Sequence, residues 1–137
     1  DPSVEPLSAA DFNAMMAFLD SQPDPDHPMK GAPIGGAIAR GKEIFEGKAN
    51  CASCHAGADL TDNAFWDVLT IRTDDRFPKL VNTPTLRNIA ITGPYLHDGS
   101  VPSLKARVLS NPQDRHGTTS TLTPAEVDDL VAYLETL

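Results

Sequence analysis

Five consecutive residues, Cys51-Ala52-Ser53-Cys54-His55, present two thiols and an imidazole on one short stretch of chain. Each thiol can add across a vinyl group of a porphyrin to form a thioether. The histidine directly after the second cysteine is then placed to bind the iron from the proximal side, so the spacing is that of a covalent c-type haem attachment site. A dithiol redox pair or half of a zinc site uses similar spacing. The redox motif needs a βαβ context, and a four-ligand zinc site usually takes further cysteines, whereas Cys51 and Cys54 are the 2 cysteines of the chain. His55 turns the balance to one covalent haem c, which consumes both sulfurs and leaves none for a disulfide.

The elements that must position this segment are helical. Residues 7–21 and 122–136 read as two amphipathic helices of the same design. Each has a leucine, then Ser8 or Thr123 as N-cap, an acidic first turn, and Ala-Phe-Leu or Ala-Tyr-Leu near the end. Between the first of them and the haem segment, residues 22–28 are too rich in proline for helix and read as a linker or surface loop. A further helix starts around Pro33 to Ala37 and ends near Gly47. Gly41 and Phe45 lie four apart on one of its faces, opposite an apolar stripe of Leu130, Tyr133 and Leu134. Met15 and Met16 fit a helix core. Residues 61–79 are irregular, with a short strand or ribbon around Trp66 to Arg72; Trp66 reads first as a packing residue, with covering a haem edge or carrying electrons as the alternative. Ser103 caps a short helix running to Leu109.

At 137 residues the chain is one compact domain, or one domain with a short extra piece. Such a small core gains much of its buried apolar surface from the haem itself. The formal net charge of −8 argues against nucleic acid, which needs clustered Lys and Arg. It suits an electron carrier steered toward a basic partner, although acidic charge also simply keeps a chain soluble. No stretch has the length of a membrane span. The N-terminus lacks a signal-peptide pattern. Since covalent haem is normally attached outside the bacterial cytoplasm, the expectation is a removed or replaced leader and a periplasmic or otherwise extracytoplasmic location.

A longer segment, residues 83–100, reads Thr-Pro-Thr-Leu-Arg-Asn-Ile-Ala-Ile-Thr-Gly-Pro-Tyr-Leu-His-Asp-Gly-Ser. Its TPTLRN and GPYLHDGS elements, at this distance after CASCH, closely resemble the C-terminal haem domain of the bacterial di-haem cytochrome c peroxidase and MauG superfamily. The resemblance covers roughly residues 34–137. It implies a cytochrome-c-like helical fold with His55 as proximal ligand. Complete members of that superfamily carry two C-x-x-C-H motifs on a chain about twice as long, and many supply a distal methionine after the HDG element. Here one motif is present and no methionine follows Met29, so peroxidase activity is not carried over.

The 4 histidines are His27, His55, His97 and His116. His116, in a loop between Pro112 and Gly117 near where the resembled family places its distal ligand, leads as the second axial ligand. A solvated loop histidine is the alternative reading of it. His97 sits in the HDG element and resembles a structural or haem-environment residue more than a ligand, with distal ligation as the lesser reading of it. A ligand at His27 or Met29 would need the linker to fold back, and an open sixth position is the remaining case. Two histidines would hold the iron at a lower potential than His and Met. Arg87 is a candidate partner for a haem propionate, with a surface ion pair as the alternative. Asn88 and Tyr95 are weaker candidates for hydrogen bonds near the haem.

These readings converge on a mainly α, cytochrome-c-like helical domain wrapped around one covalent haem. Residues 1–30 form an N-terminal helix and proline-rich linker, read as the end of a preceding domain, and residues 31–137 form the cytochrome c domain. The expected work is single-electron transfer with a redox partner protein or a preceding haem domain. The rival is a peroxide-reactive haem with an open or labile distal site; a gas or redox sensor is a third, weaker reading.

Overall fold

The computed structural model describes residues 6–23, 25–72 and 79–137. Among them the α-helices are α1 (Ala9–Asp20), α2 (Gly36–Glu46), α3 (Leu104–Leu109) and α4 (Pro124–Leu134). Their starts follow from capping chemistry. Ser8 accepts the N–H of Asp11, and Ser103 accepts that of Ala106. Thr123 and Glu126 form a reciprocal capping box, with Pro124 in the first turn where its missing N–H costs nothing.

The core is the crossing of α2 on α4. Ile44 and Phe45 of α2 meet Val127, Leu130, Tyr133 and Leu134 of α4, and Leu86, Leu104 and Val108 close the cluster. Gly41 makes the approach possible, because a Cβ there would overlap the Asp129 carbonyl and the Tyr133 side chain. Phe45 and Tyr133 pack edge to face at 5.3 Å between ring centroids. Around this seam Arg40 donates two hydrogen bonds to Asp129, at 2.6 and 2.7 Å, and Lys48 reaches Glu126 at 2.8 Å. The seam is the one predicted from Gly41, Phe45, Leu130, Tyr133 and Leu134.

Two expectations change. The predicted ribbon is a two-residue strand, β1 (Phe65–Trp66), paired antiparallel with β2 (Val81–Asn82). Trp66 lies on its surface, exposed, with its indole N–H donating to Asp62 at 3.1 Å. Residues 73–78, inside the irregular stretch, lie outside the described residues. Met15 and Met16 are exposed as well, because α1 contributes no buried residue.

α1 nevertheless repeats α4 position by position. Asp11 stands where Glu126 stands, Phe12 for Val127, Met15 for Leu130, Phe18 for Tyr133 and Leu19 for Leu134. Even the exits match: the Ser21 hydroxyl donates to the Phe18 carbonyl at 2.7 Å, and the Thr136 hydroxyl to that of Tyr133 at 2.7 Å. The difference is coverage. Met15 is 42% exposed where Leu130 is 1%, and Phe18 63% where Tyr133 is 7%.

Candidate functional site

The haem segment follows α2 directly. Ala49 is fully buried, Asn50 takes a left-handed conformation, and Cys51–Ser53 make a single 3-10 turn closed by the His55 N–H on the Cys51 carbonyl at 3.0 Å. Asn tolerates that left-handed backbone better than most residues. The turn delivers both thiols and the imidazole from one short stretch. Burial pushes the Cys51 thiol up to about 11, so it remains protonated. No disulfide joins Cys51 and Cys54.

His55 is buried, and its Nδ1 lies 3.1 Å from the Leu60 carbonyl. A carbonyl only accepts, so Nδ1 carries the proton and Nε2 keeps its lone pair for a metal. The Pro84 carbonyl also supports the ring. Thr61 ties the two supporting segments together, its hydroxyl donating to the Thr83 carbonyl at 2.6 Å.

His116 comes from the loop between α3 and α4. The Asn111 side chain organises that loop: its carbonyl accepts the His116 N–H at 2.8 Å, and its amide donates to the Gly117 carbonyl at 3.0 Å and to the Thr119 hydroxyl at 2.9 Å. The Thr118 N–H then docks on the Ala49 carbonyl at 2.8 Å. Gly117, with φ +74°, passes so close that a Cβ there would stand 2.6 Å from the same oxygen and 3.8 Å from the Cys51 sulfur. The loop that carries His116 is therefore built onto the haem segment.

The outcome is that the His55 and His116 rings are brought together. Their ring centroids are 5.9 Å apart, with the rings at 88°. Two metal–nitrogen bonds of about 2 Å each, extended by the distance from nitrogen to ring centre, span about that separation. Burial, then the charges of Arg107 and His55, push His116 down to about 3. His55 is lowered chiefly by burial. Both imidazoles are thus neutral at pH 7, the form that ligates a metal. The residues present fit a haem that Cys51, Cys54 and His55 would hold, with the His116 ring near the His55 ring. Among the described residues no group of three or more His, Cys, Asp or Glu gathers as a metal cluster, which leaves the zinc reading of Cys51 and Cys54 without further ligands.

Among the other sequence candidates, His97 is exposed. His27 is buried and shares a cavity of about 260 Å³ with Met29, Ala90, Ile91 and Glu135, a set that contains neither His55 nor His116. Arg87 is exposed and paired with Asp59 at 3.1 Å. The Tyr95 hydroxyl donates to the Ile89 carbonyl at 2.9 Å, and the Asn88 side-chain oxygen is buried without a partner. Sequence reasoning missed Arg107. It stands half-buried on α3, donates to the Ser110 carbonyl at 2.5 Å, and its charge bears on both histidines. Its signal in the sequence, a basic residue in the last turn of a short helix, reads equally well as a helix-dipole partner.

A cytochrome c family model matches residues 38–137, which span the haem segment, the loop that carries His116 and both crossing helices. The chain belongs to the cytochrome c family. It carries haem c, and within the family it falls in the di-haem cytochrome c peroxidase and MauG superfamily. It is 36% identical over 124 residues to the methylamine utilization protein MauG of Methylorubrum extorquens, covering 76% of this chain and 35% of that protein. It is 30% identical over 117 residues to the cytochrome c peroxidase Ccp of Escherichia coli, covering 72% and 24%. Among solved structures, hydrazine synthase of Kuenenia stuttgartiensis superposes with a TM-score of 0.76 at 26% identity, over 95% of this chain and 56% of that one. The chain spans 35% to 37% of the length of the MauG proteins it matches. No helix among the described residues is long and apolar enough to cross a membrane.

Proposed function

We propose that this cytochrome c carries single electrons through one haem whose iron is held by His55 and His116. The observation that carries the reading is the approach of the two neutral imidazoles to 5.9 Å. The haem, when bound, supplies a one-electron ferric/ferrous couple. The chain's own residues do the rest. Cys51 and Cys54 anchor the porphyrin edge, while Leu60 keeps the proton on Nδ1 of His55. Asn111 and the Ala49 contact hold His116 in register, so two strong ligands keep the site alike in both redox states.

Residues 1–30 are, in this reading, the end of a preceding domain, and the whole works as part of a larger periplasmic or otherwise extracytoplasmic redox protein. The match between α1 and α4 supports this: α1 has the capping and apolar face of a helix that closes a cytochrome c fold, without the partner that α4 has in α2. The formal charge of −8 favours a basic surface on an electron-transfer partner.

The peroxidases among the relatives favour a second reading, a distal site that opens to peroxide. Stopped-flow mixing separates the two. An electron carrier exchanges one electron per haem with a small-molecule donor, and hydrogen peroxide leaves its ferric spectrum unchanged on that timescale. A rapid, stoichiometric spectral change with peroxide would favour the second reading.

A further inference from the structure

Several cations among the described residues have found a carboxylate. Arg40 reaches Asp129, Lys48 Glu126, Arg87 Asp59 and Lys105 Asp128. Arg107 differs. It is more enclosed than these, and the acceptor it reaches is the backbone carbonyl of Ser110, at 2.5 Å. A guanidinium presents five donors in a rigid fork, and that carbonyl cannot satisfy them. Desolvating such a charge without an anion is unfavourable.

Its place in the fold is held from both sides. Leu104 and Val108, one turn before and one residue after it, are buried in the core, so α3 fixes where the Arg107 stem leaves the backbone. The chain then runs from α3 through Asn111 to His116, and the Arg107 charge bears on both His116 and His55. Besides these three groups, Asp62 bears on the site from the His55 side. A cation thus stands half-buried at the edge of a two-histidine haem site with no carboxylate from the described residues on it. Haem carries two carboxylates of its own.

We propose that Arg107, rather than Arg87, binds a haem propionate by charge-assisted hydrogen bonds and so raises the reduction potential of the iron. The inference rests on the two-histidine haem reading above. Charge-assisted pairing with a carboxylate is the interaction that suits a guanidinium best, and it removes the cost of enclosing both groups. A nearby positive charge also disfavours the more positive ferric state, which gives the direction of the effect on potential. Arg107 is a positioning and tuning residue; it touches the cofactor's periphery, not the iron.

The test is a spectroelectrochemical titration of haem-loaded wild type, Arg107→Gln and Arg107→Lys across the acidic to neutral range. Covalent haem loading and the ferric spectrum, read first, report on the haem site itself, so a failure of that reading appears before any potential is measured. The expected result is a potential lowered in Arg107→Gln by about tenfold in the ferric/ferrous ratio, ~59 mV for one electron. In this variant the potential should also fall with rising pH, as a propionate that has lost its partner titrates. Arg107→Lys should restore most of the wild-type value. A potential in Arg107→Gln that is unchanged and has the wild-type pH profile would overturn the proposal. If Arg107→Gln does not take up haem, Arg107→Lys decides: its propionate bending band in the resonance Raman spectrum moves if Arg107 binds a propionate, and an unmoved band overturns the proposal.

Discussion

Gly117 and Ala49 are in contact through space that a side chain would fill. Gly117 adopts φ +74°, and a Cβ on it would stand 2.6 Å from the Ala49 oxygen. Ala49 precedes the haem segment by two residues and Gly117 follows His116 by one, so this contact sets the distance between the two halves of the site. Gly117→Ala adds both a strained backbone and a clash. The expected cost is about 1–3 kcal/mol, read by denaturant unfolding of the haem-loaded protein, together with partial loss of the His116 ligand. A variant with unchanged stability and an unchanged ferric spectrum would show that the contact does not hold the loop.

The α1–α4 comparison makes a second prediction. Phe18→Ser on α1 removes an exposed ring and should change the unfolding free energy of the haem domain by no more than about 0.5 kcal/mol. Tyr133→Ala at the equivalent position of α4 should cost about 3–5 kcal/mol. Equal losses at the two positions, measured in the same denaturant series, would contradict the reading of α1 as a helix whose partner lies outside this domain.

The Lys48–Glu126 pair gives a pH dependence of defined sign. Hydrogen bonding from Lys48, then from the Thr123 backbone and side chain, holds the Glu126 carboxyl down to about 2. Its folded value lies below its unfolded one, so the unfolded chain takes up more protons in the acid window. The contribution is fully present above the ordinary glutamate value of about 4.3 and is lost as pH falls toward 2. Glu126→Gln should flatten the acid limb of a plot of denaturation midpoint against pH. Parallel curves for variant and wild type would contradict the assignment.

The seam between α2 and α4 was legible in the sequence because it is written locally. Gly41 and Phe45 share a helix face, and Thr123 with Glu126 spells a capping box. Cys51, Cys54 and His55 were legible for the same reason. What escaped depends on contacts between residues far apart in the chain. The partner of Arg87 is one of these: Asp59, 28 residues before it, stands 3.1 Å from its guanidinium. Arg107 gained importance only once Leu104 and Val108 had fixed the rotation of α3. Trp66 was expected to pack, yet on its two-residue strand it stands 47% exposed. α1 carried a buried-helix pattern, and a pattern cannot say which surface covers it.

The juxtaposition of His55 and His116 is the claim on which the account stands. The most direct test is the EPR spectrum of the ferric, haem-loaded protein, recorded for wild type, for His116→Ala, and for His116→Ala with added imidazole. The account predicts a low-spin wild type, a high-spin variant, and a return to low spin as imidazole takes the vacated position. A wild type that is already high-spin, or a His116→Ala variant that keeps the wild-type low-spin signal, would contradict it.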